Sequence, residues 1–117
     1  MYRLAEKEKI LDNHIIEFLL RCKDAVSSKY PNTQIILYGS QARADAHPES
    51  DVDLLVLLDE QIAEQQKRDI HDLIYDIGLA ADIVISAIIK SVDKWNLPIS
   101  QATPLYQNIR KEGIKVA

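Results

Sequence analysis

The nine residues DVDLLVLLD, Asp51 to Asp59, constrain the chain more than any other stretch. A nearly continuous apolar run of strand length is the signature of a central strand covered on both faces, yet this one opens with two carboxylates. Side chains alternate along a strand, so Asp51 and Asp53 share a face about 7 Å apart. Carboxylates so placed repel each other unless a cation or a donor lies between them. Unpaired charges in a mostly apolar strand cost on the order of several kcal/mol each in desolvation, so metal or solvent is expected at this end of the sheet. Oxygen-only ligands at this spacing suit Mg²⁺ or Mn²⁺.

The flanking sequence supplies layers for such a strand. From Arg3 to about Ser28 the apolar residues Leu4, Ile10, Leu11, Ile15, Phe18, Leu19, Cys22 and Val26 recur at helical spacing and predict one amphipathic helix. It should stop near SSKYPN, where Pro31 biases Tyr30 out of the helical region. TQIILYG, Thr33 to Gly39, reads as a short strand feeding a tight turn, SQARADA as a brief helical turn, and HPES as loop. Helical spacing returns from Asp59 to Ala80, and ADIVISAII is a third strand. KSVDKWNLPIS has no clear assignment, although Pro98 argues against a continuous helix. TPLYQNIRKEG carries Thr103 as N-cap, Pro104 at the first helical position and Gly113 just past the end. The order predicts an α/β (α+β) protein, a mixed sheet of three or more strands packed with helices.

At 117 residues the chain is expected to be one domain, 1–117. A net charge of -4 and a pI near 5.3 lack the basic footprint of a nucleic-acid binder. The lone Cys22 cannot form an internal disulfide, and no apolar run follows a basic start, so neither a secretory signal nor a membrane span is expected and the cytoplasm is the expected location.

Asp82, near the start of the third strand, is a further carboxylate among Ile and Val. If that strand neighbours the Asp51 run, three carboxylates can converge on one or two cations, an arrangement that serves in-line phosphoryl or nucleotidyl displacement. Cations held this way keep substrate phosphates among their ligands, so a phosphate-holding element should sit nearby. GSQAR is that element. Gly39 allows a sharp turn, Ser40 offers a hydroxyl at the start of a short helix, and Arg43 can reach the same phosphates with planar donors. The alternative for Arg43 is a surface ion pair with Asp45 or Glu49.

Gly39-Ser40, then ten residues, then Asp51-Val52-Asp53, with Asp82 later, resembles the DNA polymerase β-like nucleotidyltransferase superfamily. The likeness is strongest to the small bacterial minimal nucleotidyltransferases, and it runs from the first helix to the closing PLYQNIRKEGIKVA. The resemblance implies that Asp51 and Asp53 are magnesium ligands and that Asp82 is a metal ligand and base for the acceptor hydroxyl. It makes Gly39, Ser40 and Arg43 the nucleotide-binding residues, with two Mg²⁺ ions as cofactors and ATP as substrate. Ala44 departs from the pattern, since many relatives have glycine there. The resemblance further implies a HEPN-domain toxin as partner, AMP being moved from ATP onto a tyrosine of that ribonuclease so that the chain acts as antitoxin, either in a hetero-oligomer with the toxin or as a homo-oligomer. Only about 30 residues follow the expected metal-binding core, too few for a separate acceptor domain, so the acceptor is expected on another protein.

Two other readings stay open: transfer to a small molecule such as an aminoglycoside, or a catalytically silent antitoxin that occludes its partner. The remaining polar features carry less. His14, His47 and His71 lack zinc spacing and read as surface or boundary residues. Cys22 reads as core, EQQKRD as a solvated helix face, and Trp95 to Ile99 as either a partner patch or packing over the sheet.

Overall fold

The computed structural model describes residues 1–43 and 51–116. Five strands, β1 (Tyr2–Arg3), β2 (Gln34–Tyr38), β3 (Val52–Leu58), β4 (Ile85–Ser91) and β5 (Ile114–Lys115), form one mixed sheet in the order β1-β5-β2-β3-β4. β3 lies between antiparallel β2 and parallel β4, and its residues from Leu54 to Leu58 are buried. The central strand expected from its unbroken apolar run is therefore present. The two-residue strands β1 and β5 extend the sheet beyond three strands; both are too short to show a period, and β5 lies in the closing PLYQNIRKEGIKVA, where the resemblance implies a final helix and strand.

Among the described residues six helices accompany the sheet: α1 (Leu4–Lys7), α2 (Asn13–Ser27), α3 (Glu64–Ala80), α4 (Val92–Trp95), α5 (Pro98–Gln101) and α6 (Pro104–Glu112). Strand alternation decides which layer each residue meets. Ile35, Leu37, Leu54, Val56 and Leu58 pack against Phe18, Leu19 and Cys22 of α2 and Ile70 and Ile74 of α3. Ile36, Leu55 and Leu57 face the other way, onto Trp95 of α4 and Ile109 of α6. By the same alternation Asp53, and Asp51 two residues before it, belong to the face covered by α4 and α6. Trp95 is thus packing over the sheet, while Leu97 and Ile99 remain exposed.

Three expected boundaries move, each for a local reason. The single helix expected from Arg3 to Ser28 is two, because Asp12 caps a fresh start: its side chain accepts from the His14 N–H at 2.7 Å. The helix expected from Asp59 begins only at Glu64, where the Gln66 side chain turns back to accept from the Ala63 N–H at 2.9 Å. The third strand begins at Ile85 rather than Ala81, since Asp82 leaves α3 in a left-handed turn. Pro98 starts α5 instead of continuing α4. The expected SQARADA turn is present over its described part, the Arg43 N–H donating to the Gly39 carbonyl at 3.1 Å. Its remainder, HPES and His47 lie outside the described residues. No helix among them is long and apolar enough to cross a membrane.

α6 has the expected limits. Thr103 accepts from the Tyr106 N–H at 3.2 Å, Pro104 takes the first position, and Gly113 follows the end. Thr103→Ala is expected to lower the unfolding free energy by about 1 kcal/mol, read as a shift in urea midpoint at unchanged slope.

Candidate functional site

β2 and β3 run antiparallel, so the end of β2 lies beside the beginning of β3. Tyr38 is the register partner of Asp53, and on the other side of β3 Asp53 partners Ser86 of β4. Register partners share a face of the sheet, so Tyr38, Asp53 and Ser86 form a row across three strands. Asp51 is exposed and Asp53 is half-buried, a gradient that puts the pair at the mouth of the α4–α6 face.

Gly39 closes this mouth from β2. It sits at φ +77°, a conformation glycine adopts without strain, and a Cβ at this position would collide with Oδ2 of Asp53. The backbone turn therefore rests directly on the carboxylate. Ser40 follows at the start of the turn, half-buried, and Arg43 is exposed one helical turn on. The Arg43 guanidinium donates to Glu112 Oε1 at 3.0 Å, near the end of α6. Asp45 and Glu49, the alternatives read from sequence, lie outside the described residues.

Burial, then the neighbouring charge of Asp51, pushes the Asp53 carboxyl above the ordinary carboxylate range, and the Arg43 guanidinium partly offsets this. Burial and the charge of Asp53 likewise raise the Tyr38 hydroxyl. The site is thus a place where two carboxylates meet in partial burial, only partly balanced by Arg43. Its oxygen donors and like-charged carboxylates match a hard divalent ion. Elsewhere, burial pushes the Cys22 thiol up to about 12, as befits an inert core residue.

Asp82 stands apart from this cluster. It is exposed in the turn between α3 and β4 at φ +57°, and among the described residues no three His, Cys, Asp or Glu side chains come together as a metal set. The turn nevertheless lies at the carboxylate end of the sheet, because the Val52 N–H donates to the Val84 carbonyl at 2.9 Å. Asp51, Asp53, Gly39 and Arg43 are brought together; Asp82 is beside them in the fold without joining the pair.

Sequence reasoning missed Tyr38, Ser86 and Glu112. Antiparallel pairing of TQIILYG with DVDLLVLLD would have found Tyr38. Ser86 is signalled only by the alternation of exposed residues Asp82, Val84 and Ser86. Glu112 has no local signal, since its link to Arg43 spans 69 residues.

Residues 19–116 match the nucleotidyltransferase domain family. Two proteins of Methanocaldococcus jannaschii, both bearing the name "Putative protein adenylyltransferase", are similar. One is 39% identical over 77 residues, 64% of this chain and 78% of that protein. The other is 34% identical over 92 residues, 77% of this chain and 85% of that protein. A solved structure described as "Crystal structure of the toxin-antitoxin with AMP-PNP" shares the fold at a TM-score of 0.53 and 19% identity, covering 88% of this chain and 69% of that one. With its mixed sheet, its Gly-Ser turn and the Asp-x-Asp beneath that turn, the chain has the polymerase β-like fold and belongs to the nucleotidyltransferase domain family, whose members are enzymes that transfer nucleotides.

Proposed function

We propose that this nucleotidyltransferase moves AMP from ATP onto a hydroxyl of a partner protein, a tyrosine of a HEPN-domain toxin, and so acts as an antitoxin. What supports this most is the Asp51–Asp53 pair at the open end of β3, with Asp53 pressed beneath the Gly39 turn. The names of the two relatives support a protein acceptor, and the toxin–antitoxin structure that binds an ATP analogue supports both nucleotide and partner. The HEPN identity and the tyrosine rest on the resemblance of the Gly39-Ser40…Asp51-Val52-Asp53…Asp82 pattern.

In this reading Asp51 and Asp53 hold Mg²⁺, with Asp82 contributing as a further acid. Held there, the ion would supply positive charge against the triphosphate; the bond that breaks is the one from the α-phosphorus to the bridging oxygen. Ser40 and the turn after Gly39 seat the phosphates, and Arg43 adds a cation. The acceptor oxygen bonds to the α-phosphorus, pyrophosphate leaves, and the hydroxyl proton passes to the Asp82 carboxylate. Tyr38 and Ser86 line the same face beside Asp53.

The test is incubation with ATP labelled at the α-phosphate, magnesium and a HEPN-domain toxin, sought among the products of the genes neighbouring this one. Label should appear on the toxin, and Asp51→Ala should abolish it. Label on an aminoglycoside without partner protein would favour the small-molecule reading. Full neutralisation by an Asp51→Ala/Asp53→Ala double variant would favour occlusion.

The Arg43–Glu112 pair adds a graded prediction. In this reading Arg43 must turn from Glu112 toward phosphate, so Glu112→Gln should tighten ATP binding by up to about fivefold, the scale of an exposed ion pair. Calorimetric titration at low salt would measure it; unchanged or weaker binding would remove Arg43 from the phosphate seat.

A further inference from the structure

We propose that His14 is a positioning residue that holds the Asp82 turn in place. This rests on the reading that Asp82 serves the transfer.

The chain leaves α3 through a tight set of backbone bonds. The Ala81 N–H donates to the Ile77 and Gly78 carbonyls, Asp82 N–H to Leu79 at 3.2 Å, and Ile83 N–H to Gly78 at 2.8 Å. All of these tie the turn to the helix it has just left. The exception is the Ala81 carbonyl, whose oxygen lies 2.6 Å from His14 Nε2 at the start of α2, 67 residues earlier in sequence. His14 is itself fixed there, since Asp12 caps its N–H.

The Ala81 carbonyl and the Asp82 N–H belong to one planar peptide unit. That plane is gripped on one edge by Leu79 and on the other by His14. Its orientation sets the φ of Asp82, which stands at +57°. A residue with a Cβ is disfavoured in that conformation by an amount comparable with one net hydrogen bond, although Asp tolerates it better than most. Loss of the histidine bond therefore frees the plane to rotate, and rotation would redirect the Asp82 carboxylate away from the β3 end. An exposed histidine without metal spacing thus acquires a purpose through its geometry.

The experiment compares His14→Ala, His14→Gln and Asp82→Asn. Amide hydrogen exchange in the protein without nucleotide or metal is the first readout. His14→Ala should speed exchange at Asp82 and Ile83 by roughly fivefold, the factor set by loss of one net hydrogen bond, with β3 unaffected. His14→Gln, whose amide nitrogen can donate at similar reach, should restore protection. In the transfer assay His14→Ala should lower kcat by roughly the same factor with KM for ATP unchanged, and His14→Gln should recover it. Unchanged exchange at Asp82 in His14→Ala, or failure of His14→Gln to restore protection, overturns the proposal. Asp82→Asn separates the two layers of inference: if it keeps full kcat while His14→Ala still loosens the turn, the role of Asp82 fails and the histidine clamp stands.

Discussion

Asp53→Asn is expected to lower nucleotidyl transfer by roughly 10³-fold, the scale on which removal of one group aimed at developing transition-state charge acts, and to leave the fold slightly more stable at neutral pH. Both effects come from the same carboxylate. It is half-buried, it faces Asp51 on one strand face, and its carboxyl lies above the usual range for those two reasons. A folded-state pKa above the ordinary value of 3.8 means that the native protein binds more protons than the unfolded chain between that value and the raised one. Stability contributed by this group is therefore greatest at low pH and falls as pH rises through that window. Asn keeps the shape and removes the charge, so its stabilising effect should be present near pH 7 and vanish below about pH 4. Solvent and Arg43 screen the pair, which holds the gain to about 0.2–1 kcal/mol. Urea unfolding at pH 7 and pH 4, beside initial transfer rates, reads both. Loss of stability on substitution would show that Asp53 is held by favourable partners, and retained transfer would remove it from the cation site.

That a strand should begin with two like charges was legible from the sequence because the aliphatic run behind them fixes both burial and face. The same run fixed the central place of β3, and Thr103, Pro104 and Gly113 marked α6 through local capping chemistry alone. Other features depend on partners distant in sequence. β1 and β5 pair with each other over two residues, and only the folded chain brings Tyr2 to Ile114. Asp82 read as a strand residue because Ile83, Val84 and Ile85 follow it. The turn that displaces it is set instead by the end of α3, where a Cβ on Gly78 would come within 2.8 Å of the Ile83 carbonyl. His14, read as an ordinary surface residue, gains its contact only because α2 and α3 stack on one face of the sheet. Local pattern thus found the carboxylates and the glycine turn beside them, while the long-range contacts around them came from topology.

Gly39→Ala should be the most damaging single change that adds no charge and removes no donor. Two separate costs fall on it. The backbone is at φ +77°, where a Cβ costs about 1–2 kcal/mol. The new methyl would also overlap Oδ2 of Asp53 and crowd its Cγ at 3.2 Å, so either the turn lifts or the carboxylate rotates away, each adding roughly 1–2 kcal/mol. The expected loss is about 2–4 kcal/mol of unfolding free energy together with at least about a 100-fold fall in transfer, because displacing a reacting group by 1 Å can cost that much. A double-mutant cycle separates the two parts. In an Asp53→Ala background Oδ2 and Cγ are gone and the nearest remaining Asp53 atom, Cβ, stands at an ordinary 3.4 Å, so Gly39→Ala should there cost only the dihedral share, about 1–2 kcal/mol. A coupling near zero would mean that the turn does not rest on the carboxylate. A coupling of about 1 kcal/mol or more would tie the Gly39 turn and the Asp53 carboxylate, the proposed phosphate seat and cation ligand, into one mechanical unit, in which the glycine is required by the acid beneath it.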